Sequence, residues 1–266
     1  MNESKLRIGI LNIMHDKEDT QKRYDQALKT LPLDVDVEYF YPASRYPKDS
    51  VPDEIAKISS PLNLKEVRNF DGFIITGFAA ETIPFENITF IDEIKKLIDE
   101  LNRNNVEQLY FCWGAMIALN YLYGIEKHPM PEKLFGVYKN RITHHTNLLN
   151  GFNHEFFAPH ARYTEMDYDQ VKQNPALEIN AETLDKQLFL VSSIEHPEQN
   201  FLFSHMEYGQ DALDKEYQRE VAAHPEKEYK RPENTEINWD QNQRRFFFNW
   251  LEQVSSHKIE KSLLAI

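Results

Sequence analysis

The feature that most restricts the fold of this sequence is an alternation of short apolar runs with longer helix-compatible segments in its first half. The predicted strands cover residues 8–13, 35–40, 71–76 and 109–111, and the predicted helices include 20–31 and 91–102. Largely apolar strands that alternate with helices are typical of a parallel sheet buried on both faces. We therefore expect an α/β fold with a mostly parallel sheet and helices on both faces.

The second half of the sequence is less regular. Strands are predicted at 134–138, 156–157, 187–191 and 201–203, and helices at 211–222 and 240–253. Polar loops connect these segments, but no internal repeat, low-complexity tract or clear linker divides the chain. One domain is therefore expected over residues 1–266.

Charge and cysteine content argue against several classes of function. A formal net charge of -13 argues against nucleic acid as a partner. The single cysteine permits no internal disulfide and favours a reducing compartment. The apolar stretch 8–14 is too short for a signal peptide or a membrane span. We expect a cytoplasmic protein without a membrane partner.

Cys112, the only cysteine, stands between the apolar run 109–111 and a helix-forming segment that continues to Gly124. This order predicts a strand, a tight turn and a helix, with the thiol at the helix N-terminus, where free N–H groups favour a thiolate. Gly114 permits a close backbone approach, as in the nucleophile elbow of acyl-transfer enzymes, although Tyr110 replaces the leading glycine of that motif. A reactive nucleophile and a small buried hydrophobe are both consistent with this pattern.

A cysteine nucleophile needs a base and an orienting group, and the spacing His-x-Glu offers both. It occurs at His196–Glu198, His205–Glu207 and His224–Glu226. Residues i and i+2 of an extended segment point the same way, so the carboxylate can orient the imidazole. His196 fits a surface turn and His224 a charged surface run, whereas His205 directly follows the strand 201–203. If that strand is parallel to the others, His205 shares the carboxyl edge with Cys112 and Gly77, where such sheets bind ligands. We therefore favour His205.

The remaining histidines do not predict a metal site. His144 and His145 are adjacent, and His154 and His160 follow, but neighbouring histidines rarely converge on one ion. No second cysteine is present, and the acidic residues show no ligand spacing. The prediction is that no metal is bound.

Several blocks of the sequence, in one order over most of the chain, resemble the homoserine O-acyltransferase family. The blocks are ILNIMHDKEDT, DGFIITGFAAETIPFE, FCWGA, PEKLFGV, FFAPHAR, SHMEYGQDALDKEYQRE and FFFNWL. The resemblance implies a class I glutamine-amidotransferase-like (flavodoxin-like) fold and transfer of an acyl group from acyl-CoA to an amino-acid hydroxyl. It implies small-molecule substrates and no cofactor, with acetyl-CoA as co-substrate, and it leaves a homodimer open.

The resemblance also implies roles for the reacting groups. Cys112 corresponds to the acyl-thioester nucleophile, His205 to the general base and Glu207 to its orienting carboxylate. With the turn geometry, it suggests that the backbone N–H of Trp113 and one near Gly77 stabilise the oxyanion. The expected mechanism is ping-pong, through an acetylated cysteine.

Three further positions correspond to substrate-binding residues of the family. Lys133 matches a lysine that contacts the substrate, and Arg219 matches an arginine that holds it, since a guanidinium can bind a carboxylate in a bidentate pair. Glu81 matches the position that discriminates acyl donors, which is Glu in acetyl-transferring members and Gly in succinyl-transferring ones. A carboxylate there would repel the free carboxylate of a succinyl group, so acetyl-CoA is the expected donor.

Three positions differ from the family pattern. Ala161 replaces the usual serine, Met116 the usual glutamine and Ser204 the usual glycine. Loss of a hydroxyl in the pocket fits a switch from homoserine to serine, which is one methylene shorter. The residues leave both L-homoserine and L-serine open as the acceptor. The expected pathway is methionine or cysteine biosynthesis. Two other functions also stay open, a cysteine-dependent amidase or glutamine amidotransferase-like hydrolase and a non-catalytic binding module.

Overall fold

The computed structural model describes residues 5–46 and 50–264. The strands are β1 (Leu6–Leu11), β2 (Val35–Tyr41), β3 (Ser60–Pro61), β4 (Gly72–Ile75), β5 (Glu107–Phe111), β6 (Lys127–Ile142), β7 (Glu155–Met166), β8 (Leu177–Thr183), β9 (Leu188–Ser193) and β10 (Gln199–Leu202). The helices are α1 (Lys17–Lys29), α2 (Asp53–Ala56), α3 (Ile91–Arg103), α4 (Trp113–Tyr123), α5 (Tyr168–Gln173), α6 (Ala212–Ala223) and α7 (Asp240–Leu264). No helix in this described part is long and apolar enough to cross a membrane.

The strands form a 10-stranded sheet in the order β3-β2-β1-β4-β5-β10-β9-β8-β6-β7. Every pair from β3 to β10 is parallel, and every pair from β10 to β7 is antiparallel. We call these two parts the parallel half and the antiparallel half. The predicted α/β class with a mostly parallel sheet is confirmed, and the antiparallel half extends it.

Helices cover both faces of the parallel half, as predicted, because its strands are apolar on both faces. On β5, Tyr110 packs in the core cluster that contains residues of α3 and α4. Its neighbours Leu109 and Phe111 pack in the cluster that contains residues of α1 and α7. Side chains alternate between the faces of a strand, so both faces of β5 are buried. Each fully buried large apolar side chain contributes about 1.5–3 kcal/mol.

The antiparallel half differs most from the sequence prediction. Strands β6 and β7 are much longer than the predicted segments 134–138 and 156–157. Strand β8, which was not predicted, contains Asn180 and Glu182, both almost completely buried. Glu182 is paired with Arg141 of β6, so its charge is compensated inside the sheet. Buried polar pairs of this kind interrupt the apolar pattern of a strand, so the strand is not predicted from that pattern.

Candidate active site

Cys112 lies between β5 and α4, as the sequence predicted, and its backbone is unusual. It is the N-cap of α4 with φ 45° and ψ -108°, a left-handed conformation that costs a non-glycine residue about 1–3 kcal/mol. A Cβ atom at Gly114 would lie 2.7 Å from the carbonyl oxygen of Ile75 and 2.9 Å from that of Thr76. Glycine is therefore required at position 114, because the first turn of α4 passes directly against the end of β4.

His205 reaches the same edge because β10 is parallel to β5. The register pairs Leu202 with Phe111, and the backbone N–H of Cys112 donates to the carbonyl of Leu202 at 2.7 Å. The backbone N–H of His205 donates to the carbonyl of Pro159 in β7 at 2.9 Å. The conditional prediction that the strand before His205 runs parallel is thus confirmed.

The three predicted reacting groups are buried together. The Nδ1–H of His205 donates to Oε1 of Glu207 at 2.8 Å, and the imidazole is also hydrogen-bonded to Cys112. A Cβ atom at Gly77 would lie 3.4 Å from Cε1 of His205 and 3.5 Å from Cβ of Cys112. The ring of His205 stacks on that of Tyr208 at 4.3 Å. This arrangement can deliver a thiolate to a bound carbonyl group.

The electrostatics favour a charged imidazole in this site. Burial alone would lower the pKa of His205, but the negative charges of Glu207 and Cys112 and their hydrogen bonds raise it well above its ordinary value. His160 shows the opposite behaviour, since burial and then the charges of Arg162 and His205 lower its pKa well below the ordinary value. His205 is thus favoured as an imidazolium, while His160 is neutral.

The other two His-x-Glu motifs also bring histidine and glutamate together, but at the surface. The nitrogen–oxygen distance is 3.3 Å for His196–Glu198 and 3.4 Å for His224–Glu226, with the imidazoles 56% and 55% exposed. The side chain of His205 is only 4% exposed. Burial therefore separates the candidate base from the two surface histidines.

The positions predicted to stabilise an oxyanion lie beside the thiol. Trp113 is the first residue of α4, where backbone N–H groups have no intrahelical partner. Gly77 follows the end of β4, with its Cα next to Cys112 and His205. Their roles as oxyanion donors stay predictions.

Lys133 lies in a buried cluster of charges rather than at the open surface. Its Nζ is 2.6 Å from Oε1 of Glu216 and 2.8 Å from Oε1 of Glu220, both on α6. The same Nζ lies 3.8 Å from the centre of the Phe135 ring. The predicted contact of Lys133 with a substrate is untested, but its immediate partners are these two carboxylates.

Glu81 lies on the loop after β4, against β7. Its Oε1 accepts from the backbone N–H of Tyr163 at 3.3 Å, and its carbonyl accepts from the hydroxyl of Thr164 at 3.2 Å. Burial raises the pKa of Glu81, and the hydrogen bonds to its carboxylate only partly oppose this change. The neighbouring charges include Glu216 and Lys133, so Glu81 belongs to the same region of the site.

Arg219 and Ala161 complete the predicted set. Arg219 is exposed on α6 and makes no ion pair with any residue of the described ranges. After burial and the charges of Arg45 and Lys17, its charge lowers the pKa of His15. Ala161 is buried on β7 and packs in a cluster with Tyr208 and Phe135. Tyr208, a member of the same cluster, is the residue that stacks on His205.

Arg162, which was not among the predicted site residues, holds the histidine segment in place. Arg162 is completely buried on β7. Its Nη1 donates to the carbonyl of Phe203 at 3.2 Å, and its Nη2 donates to the carbonyl of Leu188 at 3.0 Å. Its charge is compensated by Glu165 at 2.6 Å. The predicted strand 156–157 ends before Arg162, so the apolar pattern gave no signal for a buried charge that requires partners.

The histidines outside the triad do not gather around one point. Throughout residues 5–46 and 50–264, no group of three or more His, Cys, Asp or Glu side chains is placed to hold a metal ion. His160 is engaged instead by Asn140, at 3.1 Å from its Nε2, and by Arg162, at 2.8 Å from its Nδ1.

Comparison with solved structures agrees with the observed fold. A glutamine amidotransferase from Thermotoga maritima matches with a TM-score of 0.64 at 12% identity, over 94% of this chain and 98% of that one. A glutamine amidotransferase from Methylobacillus flagellatus matches with a TM-score of 0.59 at 15% identity, over 96% of this chain and 94% of that one. The fold is class I glutamine-amidotransferase-like.

Comparison with other sequences identifies the family. The family model described as homoserine O-succinyltransferase matches residues 2–260. A serine O-acetyltransferase of Lactobacillus acidophilus is 48% identical over 96% of this chain and 98% of that protein. A serine O-acetyltransferase of Lacticaseibacillus casei is 43% identical over 97% and 98%. A homoserine O-acetyltransferase of Thermotoga neapolitana is 33% identical over 96% and 88%. The chain therefore belongs to the homoserine O-succinyltransferase family and is an O-acyltransferase by that membership.

Proposed function

We propose that the protein transfers an acetyl group from acetyl-CoA to the side-chain hydroxyl of L-serine, through an acetylated Cys112. The observation that carries the proposal is the buried contact of Cys112, His205 and Glu207 at the N-terminus of α4. Serine is favoured over homoserine because the relatives with 48% and 43% identity are named serine O-acetyltransferases, whereas the homoserine enzyme cited above is 33% identical.

In the first half-reaction, the Cys112 thiolate attacks the thioester carbonyl of acetyl-CoA. The backbone N–H groups of Trp113 and Gly77 stabilise the negative charge that develops on the carbonyl oxygen. The carbon–sulfur bond to CoA breaks, and the departing CoA thiolate takes a proton from the His205 imidazolium. Cys112 then carries the acetyl group.

In the second half-reaction, the acceptor hydroxyl attacks the acetylated cysteine. His205, now neutral, accepts the hydroxyl proton as the new carbon–oxygen bond forms. The bond to the sulfur of Cys112 breaks, which restores the thiolate beside the imidazolium. Glu207 holds the imidazole in the orientation and tautomer that both steps require.

Glu81 and Ala161 account for the choice of substrates in this proposal. An ionised Glu81 repels the carboxylate of a succinyl group, so acetyl-CoA is preferred as donor. Ala161 lacks the hydroxyl usual in the family and packs near Tyr208 at the site. Lys133 and Arg219 contact the acceptor, with the guanidinium of Arg219 bound to its carboxylate. The product, an O-acetylated amino acid, belongs to cysteine or methionine biosynthesis.

The experiment that tests the proposal is steady-state release of CoA from acetyl-CoA or succinyl-CoA, each with L-serine or L-homoserine. We expect turnover with acetyl-CoA and L-serine for the wild type and none above background for Cys112→Ala. Cys112→Ala should keep the unfolding transition of the wild type, which serves as the control for folding. The absence of turnover with every pair would contradict the proposal. Release of ammonia from L-glutamine without CoA would favour an amidase instead.

A further inference from the structure

The charges around Lys133 are unbalanced. Its side chain is 4% exposed, and its two partners, Glu216 and Glu220, are 17% and 21% exposed. Within residues 5–46 and 50–264, Lys133 is the only cation paired with either carboxylate. One positive charge therefore faces two negative charges in a mostly buried site.

Tyr208 connects this cluster to the catalytic centre. Oε2 of Glu216 accepts from the hydroxyl of Tyr208 at 2.8 Å, and the ring of Tyr208 stacks on His205. Burial would raise the pKa of Glu216, but the charges of Lys133 and then His205 lower it below its ordinary value. Glu216 is therefore ionised at neutral pH, and only one aromatic ring separates it from the base.

One oxygen of Glu220 has no hydrogen-bond donor among residues 5–46 and 50–264. Its Oε1 accepts from Lys133 and from the hydroxyl of Tyr163, the latter at 3.0 Å. Its Oε2 is buried and finds no hydrogen-bond donor among the described residues. A buried carboxylate oxygen without a donor is costly. The missing donor and the missing positive charge point to a cationic ligand.

The acceptor amino acid provides a cation of this kind. Its α-ammonium group has three N–H donors, and its carboxylate has a separate partner in Arg219, the residue that precedes Glu220 on α6. Arg219 is exposed and makes no ion pair in the described ranges. Helix α6 thus carries both a candidate anion-binding residue, Arg219, and a candidate cation-binding residue, Glu220. A phosphate of CoA would be repelled by the two carboxylates.

We propose that Glu220, together with Glu216, binds the α-ammonium group of the acceptor amino acid. The inference rests on the proposed acyl transfer to an amino acid. In this arrangement Lys133 holds the two carboxylates in position and compensates one of their charges. The bound ammonium group compensates the other and donates to Oε2 of Glu220.

The test compares two acceptors in two proteins. L-Serine carries the ammonium group, and 3-hydroxypropionate has the same carboxylate and hydroxyl without it. In the wild type, we expect kcat/KM for L-serine to exceed that for 3-hydroxypropionate at least tenfold. In Glu220→Gln, we expect kcat/KM for L-serine to fall about 10- to 100-fold, as for the loss of a charge-assisted contact, while that for 3-hydroxypropionate changes less than about threefold.

Formation of the acetylated enzyme separates this role from a structural one. The burst of CoA released from acetyl-CoA without any acceptor should be unchanged in Glu220→Gln. Glu228→Gln, at an exposed position beyond α6, is the matched control and should behave as the wild type with both acceptors. Equal losses for both acceptors in Glu220→Gln would overturn the inference.

A wild type that accepts both compounds equally well would also overturn it, whether or not the variant folds. A wild type that releases a burst of CoA but acetylates neither these compounds nor L-homoserine would contradict the proposed function, and the inference with it. These outcomes are distinguishable, because the first leaves acyl transfer to L-serine intact.

Discussion

The parallel and antiparallel halves of the sheet contribute differently to the site. The parallel half supplies Cys112, Trp113 and Gly77, all placed by strands that end at one edge. The antiparallel half supplies Lys133 on β6 and Ala161 on β7, the positions proposed to act on the acceptor. In the proposed reaction, the reacting groups therefore depend on the backbone geometry of the parallel half, whereas the antiparallel half contributes side chains proposed to act on the acceptor.

His205 stands at the border between the halves. It follows β10, the last parallel strand, but β7 fixes its backbone through the carbonyl of Pro159. Arg162 fixes the carbonyl of Phe203 from the same side. We therefore expect substitutions in either half of the sheet to lower the activity, although they act through different contacts.

The largest effect should come from the parallel half. Cys112→Ala removes the nucleophile, and we expect CoA release to fall at least about a thousandfold. The free energy of unfolding should change little or rise, because alanine leaves only a small cavity at a strained position. Urea unfolding and mass spectrometry of the acetylated enzyme check both parts. Persistent acetylation of Cys112→Ala would show that the thiol is not the nucleophile.

The next effect tests the antiparallel half. Arg162→Ala leaves the buried Glu165 without its cation and the carbonyl of Phe203 without its donor, and we expect a loss of about 3–5 kcal/mol in the free energy of unfolding. Lys139→Ala, which breaks the exposed pair with Glu155 on the same hairpin, should cost about 1 kcal/mol or less. Equal losses in urea unfolding for the two variants would contradict the assigned role of Arg162.

At the border, Glu207→Gln should reduce kcat/KM about a hundredfold or more, because the imidazole loses its orienting charge. Glu207 raises the pKa of His205, so the variant should have a lower pKa there, and its alkaline limb of kcat/KM should move to lower pH. NMR titration of the imidazole measures that pKa. Glu226→Gln, in the surface motif with His224, is the control and should leave both quantities unchanged.

The smallest effect concerns the donor. Glu81→Gly should raise the ratio of kcat/KM for succinyl-CoA over acetyl-CoA about tenfold, because a like charge is removed from the donor pocket. Burial raises the pKa of Glu81, so the wild type should discriminate more strongly as the pH rises and Glu81 ionises. In Glu81→Gly this pH dependence should disappear. A ratio that is unchanged at every pH would exclude Glu81 as the donor filter.

The parallel half could be predicted from the sequence because its signals are local. Apolar runs predicted β1, β4 and β5. The order of residue types from Leu109 to Gly114 predicted the turn at Cys112. The choice of His205 among three His-x-Glu motifs depended on its position after an apolar strand. In the structure all three motifs form histidine–glutamate contacts. The motif alone therefore does not distinguish His205 from the two surface histidines.

The antiparallel half could be predicted only in part. The buried polar residues of β8 broke the apolar pattern, and their partners lie far away in sequence, as Arg141 does for Glu182. The cluster of Lys133, Glu216 and Glu220 joins β6 to α6 across more than eighty intervening residues. No local pattern reveals such pairs, because the order of strands in the sheet creates them.

The strand order also has a consequence for the nascent chain during synthesis on the ribosome. Strand β10 lies between β5 and β9 in the sheet, although β6 to β9 precede it in sequence. Until residue 199 and its successors emerge, β5 is an open edge, which is a hazard for pairing with other chains. During that time His205 has not yet emerged, so the thiol of Cys112 at the end of β5 lacks its proposed base. In the proposed mechanism, a truncated nascent chain would therefore carry the thiol without its base, and insertion of the last central strand closes the sheet and completes the site in one step.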